Sequence, residues 1–424
     1  MQTRYDALVI GAGPAGSSAA ILLARAGRSV AVLEARSFPR RKVCGECVAA
    51  SNLPLLDSLG IGEALRERAG PELRRVALWR GEKSITAALP AGADGDRPWG
   101  HAIGREHLDR LLLDQAEAAG AAVLQPCRAL AIRGQAGGAG YEVDAAQGKV
   151  SLTLRTAVVV RAHGSWQPLP SGVTPWDRER RPSDLLGFKA SFRNAALEEG
   201  LLPVLAFAGG YGGMVVASDG LATLACCIRR DRLAVCRHDP ALTVTGTPAG
   251  EAVEALLRRE CRGVRAALAG ASRVGSWLSA GPIRPGVRLG AGDAGGFLIG
   301  NAAGEIHPII GEGISIALQS AWLLCEELAG SPDAFRSDER GEMCRRQVRL
   351  RYASRWRQYF SRRMRLAACF AHAAMRPAMA APLLPLLRRA PGLLGLAARA
   401  SGKTCSAITL PSAALPGLLQ GSPT

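Results

Sequence analysis

A short, mostly apolar run at residues 5–10 predicts a buried strand, residues 11–16 a tight turn, residues 17–26 an alanine-rich helix, and residues 29–33 a second parallel strand. Together they predict a βαβ unit. Leu108, Leu111, Leu112 and Ala116 recur at helical spacing within 107–119, and residues 121–124 then predict another strand. Residues 143–160 alternate or run apolar as a β-meander does. From 185 to 230 the pattern changes to strands punctuated by glycine, at 187–192, 204–207, 214–217 and 221–228, which predicts an antiparallel sheet inserted between pieces of the first domain. Helical spacing returns at 252–268, and residues 295–313 form a second glycine-rich passage from strand to helix. Beyond Asp338 the pattern is helical until Pro377, Pro382, Pro385 and Pro391 break it.

The expected fold class is therefore α/β. A Rossmann-like nucleotide domain is assembled from residues 1–70, 100–180 and 280–335. An antiparallel-sheet substrate domain takes residues 71–99 and 181–279, and residues 336–424 form a basic helical C-terminal region. A chain of 424 residues that is 48% apolar and 21% charged can bury a large core. It has no uncharged apolar run of about 18 residues, so no spanning helix is expected. Its strand pattern begins almost at Met1, which predicts a protein kept in the cytosol. In that reducing compartment the 11 cysteines predict small core residues rather than disulfides.

Charge changes the picture only at the C-terminal end. The net charge is +17, but residues 344–424 hold thirteen arginines and Lys403 with no Asp or Glu, so that region alone carries +14. The high pI describes an appendage, not a basic globular body.

Gly11, Gly13 and Gly16 follow the first strand and open the first helix, with Glu34 at the end of the next strand. Each has a physical role in dinucleotide binding. Gly11 permits the turn, Gly13 admits a pyrophosphate against the backbone, Gly16 lets helix and strand pack closely, and the helix N-terminus offers amides to the phosphates. Pro14 and Ala15 lie in the same turn; Ala35 and Arg36 follow Glu34. A carboxylate at position 34 accepts from both ribose hydroxyls and repels a 2′-phosphate, favouring FAD or NAD over NADP. Gly290, Gly292 and Gly295 repeat the spacing, but a strand-like stretch, residues 297–299, follows them instead of a helix.

Four separated segments resemble the flavoprotein superfamily that contains the para-hydroxybenzoate hydroxylases, the flavin-dependent halogenases and the geranylgeranyl reductases. The first is the fingerprint with Glu34. The second, Lys42-Val43-Cys44-Gly45-Glu46-Cys47, is similar to the lysine-x-cysteine-glycine stretch of the geranylgeranyl reductases. The third is Arg105 with Leu108 and Asp109, where the superfamily places an arginine against the ribityl and phosphate. The fourth runs through Gly300, Asn301 and Gly304 to His307, Pro308, Gly311, Glu312, Gly313 and Ile314, and resembles the second FAD motif. The resemblance implies FAD as cofactor, held by these residues. It departs from the pattern twice: Asn301 replaces an aspartate, and His163-Gly164 replaces the Asp-Gly pair that accompanies NADPH handling in many hydroxylases.

The resemblance places Cys44, Glu46 and Cys47 at the active-site edge as candidate catalytic acids. Each thiol is equally a packed small residue on the sequence alone. No metal is expected, because two further ligands at suitable spacing are missing. His307 is a further acid candidate with a commoner structural role. The expected partners are a hydrophobic small-molecule substrate and an external reductant, NAD(P)H or a reduced electron carrier. Tyr352, Trp356, Phe360 and Met364 at i+4 spacing form an aromatic stripe on a cationic helix. One reading lays it on an anionic membrane at the cytoplasmic face, helped by Leu383, Leu384, Leu386, Leu387, Leu393 and Leu394; the other docks it on the nucleotide domain. Nucleic acid is not expected, since no binding module accompanies the charge. The leading expectation is an FAD-dependent oxidoreductase that reduces a carbon–carbon double bond in an isoprenoid or polyketide-like substrate. Its alternative is a monooxygenase hydroxylating an aromatic or polyketide substrate. Halogenation ranks below both, since Trp277 is followed by Leu278-Ser279-Ala280 and no tryptophan-x-tryptophan-x-isoleucine signature is present, and so does a flavin-containing binding protein in which residues 345–365 hold RNA or membrane.

Overall fold

A computed structural model describes residues 2–92, 99–138, 140–165, 180–290 and 295–403. Its first layer is a seven-stranded sheet in the order Ala122–Leu124, Val30–Leu33, Arg4–Ile10, Val150–Arg161, Tyr141–Gln147, Arg128–Gly134, with Phe297–Leu298 also paired to Val150–Arg161. The pairs around Arg4–Ile10 are parallel and the last two of the series antiparallel, a Rossmann-like core with a meander at its edge. The helix after the fingerprint begins at Pro14, three residues earlier than its apolar pattern predicts, because proline at the first helical position needs no amide partner. Ala19 and Ala20 are wholly buried there, and their small side chains let this helix pack closely on the Gly313–Ala329 helix. The late glycine run does feed a strand, Phe297–Leu298; Gly292 lies outside the described residues.

The second layer is another seven-stranded sheet, Ser272–Ile283, Leu185–Arg193, Ala222–Arg229, Gly210–Val216, Leu201–Phe207, Arg75–Arg80, Lys83–Ala88, in which only Leu201–Phe207 with Arg75–Arg80 is parallel. Strand alternation gives it two different faces. Leu201, Leu205 and Phe207 pack into a core under the helices Ala249–Glu260 and Arg262–Ala267, while Leu202, Val204 and Ala206 between them face a cavity. The helical spacing at 252–268 is divided between those two helices because Cys261 is extended.

The C-terminal region docks on the nucleotide domain. Asp338 accepts from the Gly341 amide and caps a helix of 37 residues, Glu339–Met375. Tyr352, Trp356 and Phe360 are 1%, 0% and 0% exposed, and the Tyr352 hydroxyl donates to the Leu298 carbonyl. The stripe is therefore core. This corrects the reading that lays it on a membrane: the three aromatic side chains are enclosed by protein, so none of that face is left to meet lipid. The arginines flanking it find acids on the neighbouring helix, Arg351 on Glu327 and Arg355 on Glu326 and Glu327. Three short helices follow, Pro377–Ala380, Leu383–Arg389 and Gly392–Ala400, the last lying against the strand Lys83–Ala88. Residues 404–424 of the expected basic region lie outside the described residues. Among those described, no helix is long and apolar enough to cross a membrane.

Candidate functional site

The fingerprint turn is built around two impossible side chains. Gly11 has φ +101°, and a Cβ there would stand 2.7 Å from the Ala162 carbonyl oxygen; a Cβ on Gly16 would stand 1.8 Å from the Gly11 carbonyl oxygen. Gly13 is different. It is the residue before the helix, no side chain caps the helix amides, and a Cβ there would meet only an Arg105 Nη atom at 3.7 Å. Gly13, Pro14 and Ala15 instead face open space, an uncapped helix N-terminus that fits the diphosphate of a dinucleotide. Glu34 is 1% exposed and fixes the turn, accepting from the Ala12 and Arg36 amides at 2.9 Å each. Ala35 is half-buried and Arg36 exposed at the strand end, outside the cavity wall.

Arg105 opens the Arg105–Ala118 helix. Its guanidinium makes a two-pronged pair with Asp109, at 2.7 and 2.8 Å, that aims it at Gly13. Burial opposes its charge, but Asp109 and then Cys44 outweigh that and hold its pKa above the ordinary value. Beside it Lys42 is pushed down to about 8, by burial first and then by the charges of Arg105 and Arg40. His163 stands against Gly11 and is pushed down to about 4 by burial and then Arg161, so it is neutral near pH 7.

The second motif approaches from the opposite side. Gly300 (φ +58°) would carry a Cβ 3.0 Å from that of Ala15, so the two glycine passages touch. Asn301 donates its amide to the Ser165 hydroxyl at 3.0 Å, leaving Oδ1 as the acceptor it offers. Pro308, Gly311, Gly313 and Ile314 line the cavity at the N-terminus of the Gly313–Ala329 helix. Gly304 does not. A Cβ there would stand 2.5 Å from the Trp356 ring, so this glycine serves the docking of the C-terminal helix.

Both passages enclose one cavity of about 570 Å³, which continues past Cys44 and Cys47, along Leu202, Val204 and Ala206, to the leucines of the C-terminal helices. Cys44 is half-buried, its Sγ accepting from the Glu46 amide at 3.3 Å; Cys47 is buried, and burial foremost pushes its thiol pKa up, so it keeps its proton near pH 7. Glu46 (φ +58°) is 2% exposed and committed as an acceptor. It takes Lys189 and the Arg105 amide on one oxygen and the Thr223 hydroxyl, at 2.6 Å, on the other. That ties the lysine-cysteine-glycine loop to the second sheet. His307 bonds Tyr211 at 3.2 Å and is pushed down to about 4 by burial and then His372. Sequence reasoning missed Lys189, Thr223 and Lys403, which reach the site from distant strands and from the chain's basic region.

A family model described as an FAD binding domain matches residues 4–172. Over 353 residues the chain is 29% identical to the menaquinone reductase of Mycolicibacterium smegmatis, covering 77% of this chain and 76% of that protein. The chain is an FAD-dependent oxidoreductase, similar to members of the superfamily named above. The flavoenzyme also shares its fold with the flavin-dependent brominase Bmp2 (TM-score 0.71, 18% identical, covering 95% of this chain and 94% of that one). A geranylgeranyl bacteriochlorophyll reductase-like protein from Thermoplasma acidophilum is similarly close (TM-score 0.70, 18% identical, covering 99% and 96%). At those identities the likeness speaks to fold, and the uncapped turn at Gly13 with Glu34, Arg105 and Asn301 around it speaks to the flavoenzyme's FAD.

Proposed function

We propose that this flavoenzyme reduces a carbon–carbon double bond in the isoprenoid chain of a membrane lipid. One observation carries the reading: a single apolar cavity runs from Cys44, Cys47 and the 311–313 loop to Leu383, Leu386 and Leu393, which line it and are nonetheless 43%, 52% and 37% exposed. Such a tunnel suits a long apolar chain entering lengthwise, since few polar groups along it could orient a compact aromatic. Arg376, Arg388, Arg389 and Arg399, on or beside the same short helices, are exposed, a combination of leucines and cations that fits an anionic lipid surface. The relative from Mycolicibacterium smegmatis is named for menaquinone, a quinone with an isoprenoid tail, which supports the same substrate class. Trp277 donates to Glu254 at 3.2 Å and is not part of the cavity wall, which disfavours halogenation.

FAD, once reduced by an external two-electron donor such as NAD(P)H or a reduced carrier protein, supplies the hydride. The second hydrogen arrives as a proton from Cys44 or Cys47, and Glu46 positions their loop. The test is to reduce the FAD-loaded protein anaerobically and mix it with menaquinone in phosphatidylglycerol vesicles. Flavin absorbance should return while the isoprenoid chain, located by fragment mass spectrometry after the quinone head is reoxidised in air, gains two hydrogens. The triple variant Leu383→Ser, Leu386→Ser, Leu393→Ser should keep its FAD and pellet less with those vesicles. A protein that instead consumes oxygen in step with an aromatic substrate and returns a hydroxylated product overturns the reading.

A further inference from the structure

After the Gly392–Ala400 helix the chain folds back over the loop that follows Cys47 and Val48. The Ser51 hydroxyl donates to the Gly402 carbonyl at 2.7 Å and the Ser51 amide to the Lys403 carbonyl at 3.2 Å. Gly402 has φ +97°, and a Cβ there would lie 2.6 Å from the Arg363 Cζ, so glycine is needed for this turn. The result puts the Lys403 ammonium in the cavity wall, 3.5 Å from the Cys47 Sγ and 3.9 Å from the Glu312 Oε1. It also lies 3.3 Å from where a Cβ of Gly311 would be.

Glu312 makes this more than a chance contact. It precedes the Gly313–Ala329 helix, is 0% exposed, and neither carboxylate oxygen has a hydrogen-bond partner. Burying a carboxylate without hydrogen bonds is costly unless charge compensates. Two cations approach it, Lys403 and, at 3.7 Å, Arg363, and both belong to the C-terminal region. The acid therefore holds an ammonium against the loop that bears the second motif and beside one of the two cavity thiols.

We propose that Lys403 is a positioning residue for Cys47: the C-terminal region delivers an ammonium, anchored by Glu312, whose charge supports the thiol as it gives its proton to the substrate. The assignment rests on the double-bond reading above. In that step the thiol's S–H bond breaks, a C–H bond forms on substrate carbon, and the sulfur is left anionic beside the ammonium until solvent returns the proton. The two electrons come with the hydride from the externally reduced cofactor. The groups facing Cys47 act in a consistent sense. Burial raises its pKa most, Lys403 works against that rise, and Glu312 and Cys44 add to it. For Lys403 burial lowers the pKa, but Cys47 and Glu312 outweigh it and keep the amine protonated.

The test reads the thiol without turnover. Site-resolved alkylation of Cys47 by iodoacetamide is followed across pH in FAD-loaded protein by mass spectrometry, because the thiolate is the form that reacts. Lys403→Met should slow labelling of Cys47 at pH 8 about tenfold or more, the ratio one unit of thiol pKa gives. Cys44 labelling and FAD content should stay unchanged, and Lys403→Arg should recover most of the rate. An unaltered Cys47 profile in Lys403→Met overturns the proposal. If that variant fails to retain FAD, two shortened chains replace it, one ending after Lys403 and one after Ser401. Only the second should label slowly, and equal labelling in both overturns the proposal. Slow labelling in an enzyme that leaves the isoprenoid chain of menaquinone unchanged would retain the ammonium–thiol pair and reject only the double-bond reading.

Discussion

Gly13 and Gly16 are three residues apart in one turn, and the structure predicts opposite consequences for adding a methyl group to each. At Gly16 the new Cβ would lie 1.8 Å from the Gly11 carbonyl oxygen and 3.0 Å from its carbon. Both are backbone atoms that no rotamer change can move, and the turn is fixed by Glu34 on one side and by Ala162 on the other. Relief therefore requires the Pro14–Arg25 helix to separate from the strand, which costs about 3 kcal/mol or more, the upper range for overpacking a close-packed core. At Gly13 the backbone has φ −74° and ψ −178°, a conformation alanine adopts freely, and the nearest atom to the new Cβ is 3.7 Å away. The expected loss there is only a few tenths of a kcal/mol, from replacing glycine at an uncapped helix start.

The ligand reverses the comparison. The space that makes Gly13→Ala harmless to the free protein is the space through which a diphosphate reaches the helix amides. Gly13→Ala should weaken FAD binding tenfold or more, at least about 1.4 kcal/mol. Thermal unfolding of both proteins freed of flavin, and FAD titration followed by quenching of flavin fluorescence, separate the two effects. Gly16→Ala should lose several degrees of apparent Tm; Gly13→Ala should keep its Tm and lose affinity. Wild-type affinity in Gly13→Ala, or wild-type stability in Gly16→Ala, would refute the placement of the dinucleotide across this turn.

Trp356→Ala should destabilise the protein by about 3–5 kcal/mol, because the ring is 0% exposed and fills the space above Gly304. Denaturant unfolding monitored by tryptophan emission checks this, and a loss below about 1 kcal/mol would mean that the C-terminal helix is not docked there. His307 gives a pH signature. Its folded pKa of about 4 lies below the ordinary 6.5, so the unfolded chain takes up the proton first as pH falls. Stability present above pH 6.5 should decline progressively toward pH 4, by up to about 3 kcal/mol for this residue. Guanidinium midpoints at intervals across that window should fall less steeply in His307→Asn, and equal slopes would sink the assignment.

The parts of the fold that were legible in the sequence are those whose reasons are local. The first βαβ unit follows from an apolar run, three glycines and Glu34 lying within about thirty residues, each imposing its own backbone or packing demand. The strands at 187–192 and 204–207 were visible as runs punctuated by glycine, although their ends shifted by a few residues. The aromatic stripe at Tyr352, Trp356 and Phe360 had a clear period but no visible partner. A buried face looks the same whether it meets a membrane or a protein, and the decision came from Gly304 and the Leu298 carbonyl, far away in sequence.

What could not be read was the traffic between distant segments. Glu46 lies in a stretch that looks catalytic, yet its carboxylate is spent on Lys189, 143 residues on, and Thr223, 177 residues on. Lys403 is separated from Cys47 by 356 residues and stands in a region whose charge seemed to describe only an appendage. Those two cases point the same way. The acid in the motif secures the loop, and the cation that attends the thiol comes from the chain's far end, over a cavity whose mouth is built by the same helices. A C-terminal region that lines the cavity and also brings Lys403 to Cys47 ties the lipid entry proposed above to the thiol proposed to act there. Loosening that region should therefore reduce reactivity at Cys47 as well as access to the cavity.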